Sequence, residues 1–358
     1  MTAVPARADD GWSGTPVASS AAGAQDCAQV LLVGARGSGQ EAPYGDTVDD
    51  VRAELASRVG GRRPDLRLAQ VYLDYPAASL DDIDTASVEN VVLGDESATA
   101  PAYVASVEAG VSELERLAAA EAQRCPDEKL LVVGYSQGAE VATRALGSGA
   151  LDGNLLGAVL LGNPLHYDGQ NVTELDGTAS NRSYGLTAAL YYLKAELAAS
   201  TGDRQAQVTR LIEVVVSMYN GTVDTTTLAS AMTGIGASVP GGDAPRTWSV
   251  CTAGDPVCDS TDALARVFTS SSALEEEHSA GSANHDSYTP DALQNTLDAV
   301  AAELVDLPHA QASSPESAPS RSRRGLLYGG LGAAALLAGG AVIVVRRRRS
   351  PRTGAAGG

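Results

Sequence analysis

Five short, largely apolar runs punctuate the chain, at 29–35, 67–73, 130–134, 155–161 and 247–251. Runs of this length and character read as strands buried on both faces. Amphipathic patterns separate several of them. Residues 47–59 carry apolar side chains at 48, 51, 55 and 59, and residues 102–122 at 103, 104, 107, 111, 114, 117 and 118. Residues 291–304 carry them at 293, 297, 300 and 304. Such spacings line up on one side of a helix. Buried strands alternating with amphipathic helices predict an α/β fold, with a mainly parallel sheet of about five strands flanked by helices. Two further helical patterns, 186–199 and 206–219, fall between the fourth and fifth runs.

The pattern also divides the chain. Residues 1–26 are small and polar and read as a flexible N-terminal segment. Ala6-Arg7-Ala8 has the small-x-small form that ends a signal peptide, without an apolar run before it. The expectation is therefore a start upstream of this sequence, or a trimmed one. Residues 27–306 form the folded body, with 165–245 as a helical insertion. A Pro/Ser-rich linker follows at 307–324. Residues 325–345 are uncharged throughout, long enough as a helix to cross a hydrocarbon core of roughly 30 Å. Arg346 to Arg349 open a basic tail, 346–358, of the kind that stays on the cytoplasmic side. The expectation is a single-pass membrane anchor with the body outside the cytoplasm.

Charge and cysteine content narrow the partners. The net charge is -19, and eight of the 25 Lys and Arg residues lie beyond the last acid, Glu316. The rest of the chain sets 17 bases against all 44 acids, which excludes nucleic acid as a partner. Four cysteines suit two disulfides and an oxidising compartment.

The chemistry centres on Gly134-Tyr135-Ser136-Gln137-Gly138, which fits G-x-S-x-G directly after an apolar run and before a helix-forming stretch. A serine on such a sharp turn has its hydroxyl lifted above the sheet, and side chains at the two glycine positions would collide. The following helix aims its first amides at a developing oxyanion. A serine hydroxyl needs a base. The candidates are His166, His278, His285 and His309. The order serine, acid, histidine demotes His166, and His309 lies in the linker. His278 follows three glutamates and reads as a solvated loop residue. His285, just before the last amphipathic helix, is preferred. The acid candidates are Asp255 and Asp259 in "SVCTAGDPVCDS". Asp255 stands between Cys251 and Cys258, in a loop that a disulfide would close. A second oxyanion donor is sought in the glycine-rich turn "GARGSGQE", where Ser38 offers an amide and a hydroxyl. That turn lacks the Lys-Ser/Thr of a phosphate loop.

Taken together, these pieces resemble the cutinase family of serine esterases, in the α/β-hydrolase superfamily. The matching stretches are Cys27 with "VLLVGARGSGQ", Cys125 before "GYSQG", "GNP" at 162–164, "CTAGDPVC" from Cys251 and "HDSY" from His285. The resemblance implies a triad of Ser136, Asp255 and His285, and an oxyanion hole from Ser38 and Gln137. It implies disulfides Cys27–Cys125 and Cys251–Cys258, carboxylic ester or lipid substrates, and neither metal nor organic cofactor. The anchor is foreign to small secreted cutinases and is similar to surface-anchored relatives in high-GC Gram-positive bacteria. The insertion is long for the family. It reads either as a cap over the site or as helices packed at the sheet edge. Two other functions share these residues: an acyltransferase passing the acyl group to an envelope alcohol, and a catalytically silent surface protein that binds lipid.

Overall fold

The apolar runs assemble into one parallel sheet. In this computed structural model, described for residue 12 and residues 15–79, 101–200, 203–270 and 273–309, the strands are β1 (Val17–Ala18), β2 (Val30–Ala35), β3 (Leu68–Tyr72), β4 (Lys129–Tyr135), β5 (Leu155–Leu161) and β6 (Thr247–Val250). Their order is β1-β3-β2-β4-β5-β6, all pairs parallel. Alternate side chains of each strand enter opposite cores. Leu31, Val33, Leu130 and Val132 face one side, and Val30, Leu32, Leu131 and Val133 the other. Both faces are dry, which is why the strands read as apolar runs.

Helices cover the two faces. α1 (Gly45–Gly60) packs with α9 (Gln294–Asp306) on one side. α2 (Pro101–Arg124) packs with α3 (Gln137–Gly147) on the other. The chain runs outward from β2 to β3, then returns to place β4 on the opposite flank of β2. The loops leaving β2 and β4 therefore open side by side at a topological switch point, where α/β sheets hold their ligands.

The insertion contains three helices: α4 (Leu186–Ala198), α5 (Arg204–Tyr219) and α6 (Thr225–Gly234). Leu193, Leu211, Val215, Met218 and Met232 build a third core, to which α7 (Thr261–Ser270) adds Leu264 and Val267. The first turn of α4 is tied to the body twice. Leu186 N donates to Val257 O at 2.8 Å, and Thr187 Oγ1 to Glu140 Oε2 at 2.9 Å.

Three expectations change. The sheet has a sixth strand, because part of the N-terminal segment expected to be flexible is built in. Val17 and Ala18 pair with β3, and Ser19 Oγ donates to Glu113 and accepts from Asp74 N at 2.9 Å. These ties are polar, so no apolar pattern announces them. His278, expected in a loop, lies half-buried on α8 (Leu274–His285). That helix has no apolar stripe to read. His285 accordingly ends a helix, with the loop following it. Both disulfides are present, Cys27–Cys125 and Cys251–Cys258, with Cα–Cα distances of 5.6 and 5.8 Å. Among the described residues no helix is long and apolar enough to cross a membrane. The candidate span 325–345 lies outside the described residues.

Candidate active site

Ser136 joins β4 to α3 with φ 53° and ψ -119°. An L-residue resists this conformation, at a cost of about 1–3 kcal/mol. The surroundings hold it there. Ser136 N donates to Leu161 O at 2.8 Å, and Ser136 O accepts from Ala139 N at 2.9 Å. The two motif glycines are required by space. A Cβ on Gly134 would lie 2.7 Å from the Gly138 carbonyl carbon, and one on Gly138 would run into the Ala35 carbonyl. The Ser136 hydroxyl has no hydrogen-bond partner among the described residues.

The turn after β2 faces this elbow. Buried Arg36 pins it, donating to Gln40 O at 2.9 Å and Tyr75 O at 2.6 Å. Tyr75 OH donates back to Arg36 O. Gln137 is fully buried, and its side chain works as a clamp rather than as a donor to substrate. Nε2 donates to Ser38 Oγ at 3.2 Å, and Oε1 accepts from Ser106 Oγ at 2.8 Å. That leaves the Gln137 main-chain N–H, first in its helix and without an intrahelical acceptor, as the available group. Ser38 is half-buried in the facing turn.

Asp255 is fully buried in the loop closed by Cys251–Cys258. Its Oδ1 accepts from Val257 N at 2.7 Å, and its Oδ2 from Tyr288 OH at 2.5 Å. His285 Nδ1 lies 2.9 Å from each oxygen. Burial alone would raise this carboxyl. The hydrogen bond and charge of His285, with the Tyr288 and Val257 donors, outweigh it, and the pKa sits below the ordinary carboxylate value. Asp255 therefore stays ionised and fixes the imidazole by Nδ1, leaving Nε2 for a reacting proton. The runner-up acid, Asp259, is engaged otherwise: its Oδ2 accepts from Gly254 N at 2.8 Å, shaping the same loop.

Two tyrosines belong to this assembly that sequence reasoning did not assign. Tyr135 stacks on His285 with centroids 4.9 Å apart and donates its OH to His285 O at 3.0 Å. An aromatic residue at the first x of G-x-S-x-G is the available hint. Tyr288 has no such signal beyond standing three residues after His285. Burial, followed by the charge of Asp255, drives its pKa far up, so it remains a donor at every working pH. Gly162 of "GNP" lies against the imidazole, where an added Cβ would be 3.0 Å from Cε1.

The other histidines stand apart. His309 Nδ1 meets Asp65 Oδ2 at 2.8 Å on the surface. His166 is buried at the start of the insertion and outside the Asp255–His285 pair. Among the described residues one group of potential metal ligands closes up: Glu121, Cys125 and Glu128. The Cys125 sulfur is committed to the disulfide and offers no thiolate.

A parallel sheet carrying a strained serine elbow at its switch point defines an α/β-hydrolase. The family model described as Cutinase matches residues 26–302, and the chain belongs to the cutinase family. It is a serine carboxylesterase, hydrolysing carboxylic esters. No curated protein matches the sequence. Among solved structures, an acetylxylan esterase is 18% identical, with a TM-score of 0.44, covering 78% of this chain and 100% of its own. A cutinase-like protein from Cryptococcus sp. is 17% identical, with a TM-score of 0.36, covering 72% and 95%. A cutinase from Trichoderma reesei, in complex with a phosphonate inhibitor, is 18% identical with a TM-score of 0.37, covering 78% of each chain. The family assignment rests on the family match.

Proposed function

We propose that Ser136, His285 and Asp255 are the catalytic triad of an extracytoplasmic esterase. The observation that carries the reading is Ser136 itself, held at φ 53° and ψ -119° on the strained turn from β4 into α3, next to Tyr135, whose ring stacks on His285. In this reading Ser136 Oγ attacks the ester carbonyl and passes its proton to His285 Nε2. The imidazolium is stabilised across Nδ1 by Asp255, which stays ionised throughout. The oxyanion is held by the Gln137 amide and by Ser38 in the clamped turn. Collapse of the tetrahedral species breaks the bond to the alcohol, which leaves with the proton from His285. Water, deprotonated by His285, then releases the acid and restores Ser136. Replacing Ser136 by alanine tests this. Hydrolysis of nitrophenyl esters is expected to fall on the order of a thousandfold or more with the fold unchanged. Retained turnover would refute the assignment.

The location is part of the same proposal. The disulfides suit an oxidising compartment. The uncharged stretch 325–345, followed by four arginines, suits a membrane anchor. Alkaline carbonate extraction of cell membranes checks it: the protein stays in the pellet, and a variant ending at residue 309 does not. Substrates are taken to range from short acyl esters to lipids. Water is taken as the acceptor because the family to which the chain belongs is one of ester hydrolases.

A further inference from the structure

Besides Ser136, one other non-glycine residue among the described residues holds a positive φ: Ala77, at 48° and buried. Strain of this kind persists only where the surroundings over-determine the backbone. Ala77 stands in the loop after β3, against the turn that carries Ser38, and its carbonyl accepts from Gly39 N at 2.8 Å. Ala78 carries the loop on to the Gln137 side chain. Its carbonyl accepts from Gln137 Nε2 at 3.3 Å, and its amide donates to Ser106 Oγ at 3.0 Å. Ser106 lies on α2, fully buried, and donates in turn to Gln137 Oε1 at 2.8 Å. Ser106, Ala78 and the Gln137 side chain thus close a ring of hydrogen bonds behind Ser38.

The chemistry of this ring admits one sense of donation. A main-chain N–H only donates, so Ser106 Oγ accepts from Ala78, and its single proton is left for Gln137. A main-chain carbonyl only accepts, so the end of the Gln137 amide that faces Ala78 O is the NH2 group. Both constraints turn Oε1 toward Ser106. The second Nε2 proton then goes to Ser38 Oγ, at 3.2 Å. Ser38 Oγ is the acceptor in that bond, and it makes no other hydrogen bond among the described residues. Its own proton stays available. With the amide turned over, Oε1 would face Ser38 and take that proton.

We propose that Ser106 is a positioning residue for the oxyanion hole: it holds the Gln137 amide in the sense that keeps the Ser38 hydroxyl proton free for the oxyanion. The inference rests on the place proposed for Ser38 in that hole. Ser106 touches no reacting atom and acts through Gln137 and Ser38. Without its proton the amide loses the donor that fixes its sense. Ser38 can then donate to Oε1, and the oxyanion loses a partner.

The test is a double-mutant cycle between Ser106→Ala and Ser38→Ala, in the full chain in detergent, read on nitrophenyl esters. Ser38→Ala is expected to lower kcat about a hundredfold. Ser106→Ala is expected to lower kcat about tenfold, with KM within about twofold of wild type. In the Ser38→Ala background the same substitution should change kcat by less than about twofold, since the hydroxyl it orients is gone. A merely structural role would give the same loss in both backgrounds. If Ser106→Ala does not fold, Ser106→Cys, a weak donor of similar shape, is read in the same cycle. Losses that add, or an unchanged kcat in a folded Ser106 variant, overturn the role of Ser106 and leave the oxyanion hole standing. An unchanged kcat in Ser38→Ala overturns the place of Ser38 in the hole, and this inference with it.

Discussion

Replacing Ser136 by glycine and by alanine isolates the backbone strain at the elbow, because both variants lack the hydroxyl. Ser136 sits at φ 53° and ψ -119°, the corner that type II′ turns give to glycine. Relief of strain favours the glycine variant by about 1–3 kcal/mol. Against that stand roughly 0.4–1 kcal/mol of extra freedom in the unfolded chain and about 0.8 kcal/mol for a lost buried methyl. The net therefore runs from about 0.8 kcal/mol in favour of alanine to about 1.8 kcal/mol in favour of glycine, with glycine the more stable by about 0.5 kcal/mol at the centre of the range. Ala142, fully buried in α3, supplies the contrast. There Ala142→Gly relieves nothing and costs about 1 kcal/mol of helix propensity plus about 0.8 kcal/mol of burial. Scanning calorimetry at roughly 2 °C per kcal/mol resolves the difference. If Ser136→Gly melts below Ser136→Ala by as much as Ala142→Gly melts below wild type, the elbow stores no strain and the reasoning fails.

Tyr288→Phe removes a donor to an ionised, buried Asp255 and is expected to cost about 1.5–3 kcal/mol. It should lower kcat more than it changes KM, as a positioning loss would, and unchanged melting and kcat would show the bond to be idle. The disulfides should separate in effect. In the chain-entropy model, losing Cys27–Cys125, which spans 98 residues, costs up to about 4.7 kcal/mol, against about 2.4 kcal/mol for the short loop. Cys251→Ala with Cys258→Ala should therefore damage kcat most and stability less, and the opposite ranking would contradict the role given to the Asp255 loop. Glu128 is buried, and desolvation, reinforced by Glu121, raises its pKa despite the hydrogen bond from Ala28 N. A raised carboxyl favours the fold in its protonated form, so its contribution falls as pH rises through its unfolded and then its folded pKa. Glu128→Gln should raise the melting temperature more at pH 7 than at pH 4, and equal shifts would refute this.

The sheet was legible because strands buried on both faces read as uninterrupted apolar runs, and β2, β4 and β5 fall where those runs lie. α1 and α2 were legible by the same physics, through an apolar stripe on one face. α7 and α8 were not. "LEEEHSAGSANH" has no stripe, and its helix is fixed by tertiary contacts such as Gly281 against Pro256, where an added Cβ would be 2.6 Å from the ring. β1 was hidden for a related reason: it is two residues long, and the segment is held by scattered contacts, Val17 and Ala22 against the core and the hydrogen bonds of Ser19, that form no apolar run. Within the site, Ser136, Asp255 and His285 stood out by spacing and order. Tyr135, Tyr288 and Arg36 did not, because each acts through a hydrogen bond or ring contact to a residue distant in sequence. The assignment of Ser38 and Gln137 gained a distinction that no motif contains. The Gln137 side chain is engaged by Ser38 and Ser106, which leaves its main-chain amide as the group available for the proposed oxyanion hole.

The measurement that bears most directly on the triad is fluorophosphonate labelling followed by peptide mapping, in wild type and in His285→Ala and His278→Ala variants. The adduct is expected on Ser136, at full rate in wild type and His278→Ala, and slowed on the order of a thousandfold or more in His285→Ala. An adduct on another residue, or labelling that survives in His285→Ala and disappears in His278→Ala, would contradict the account.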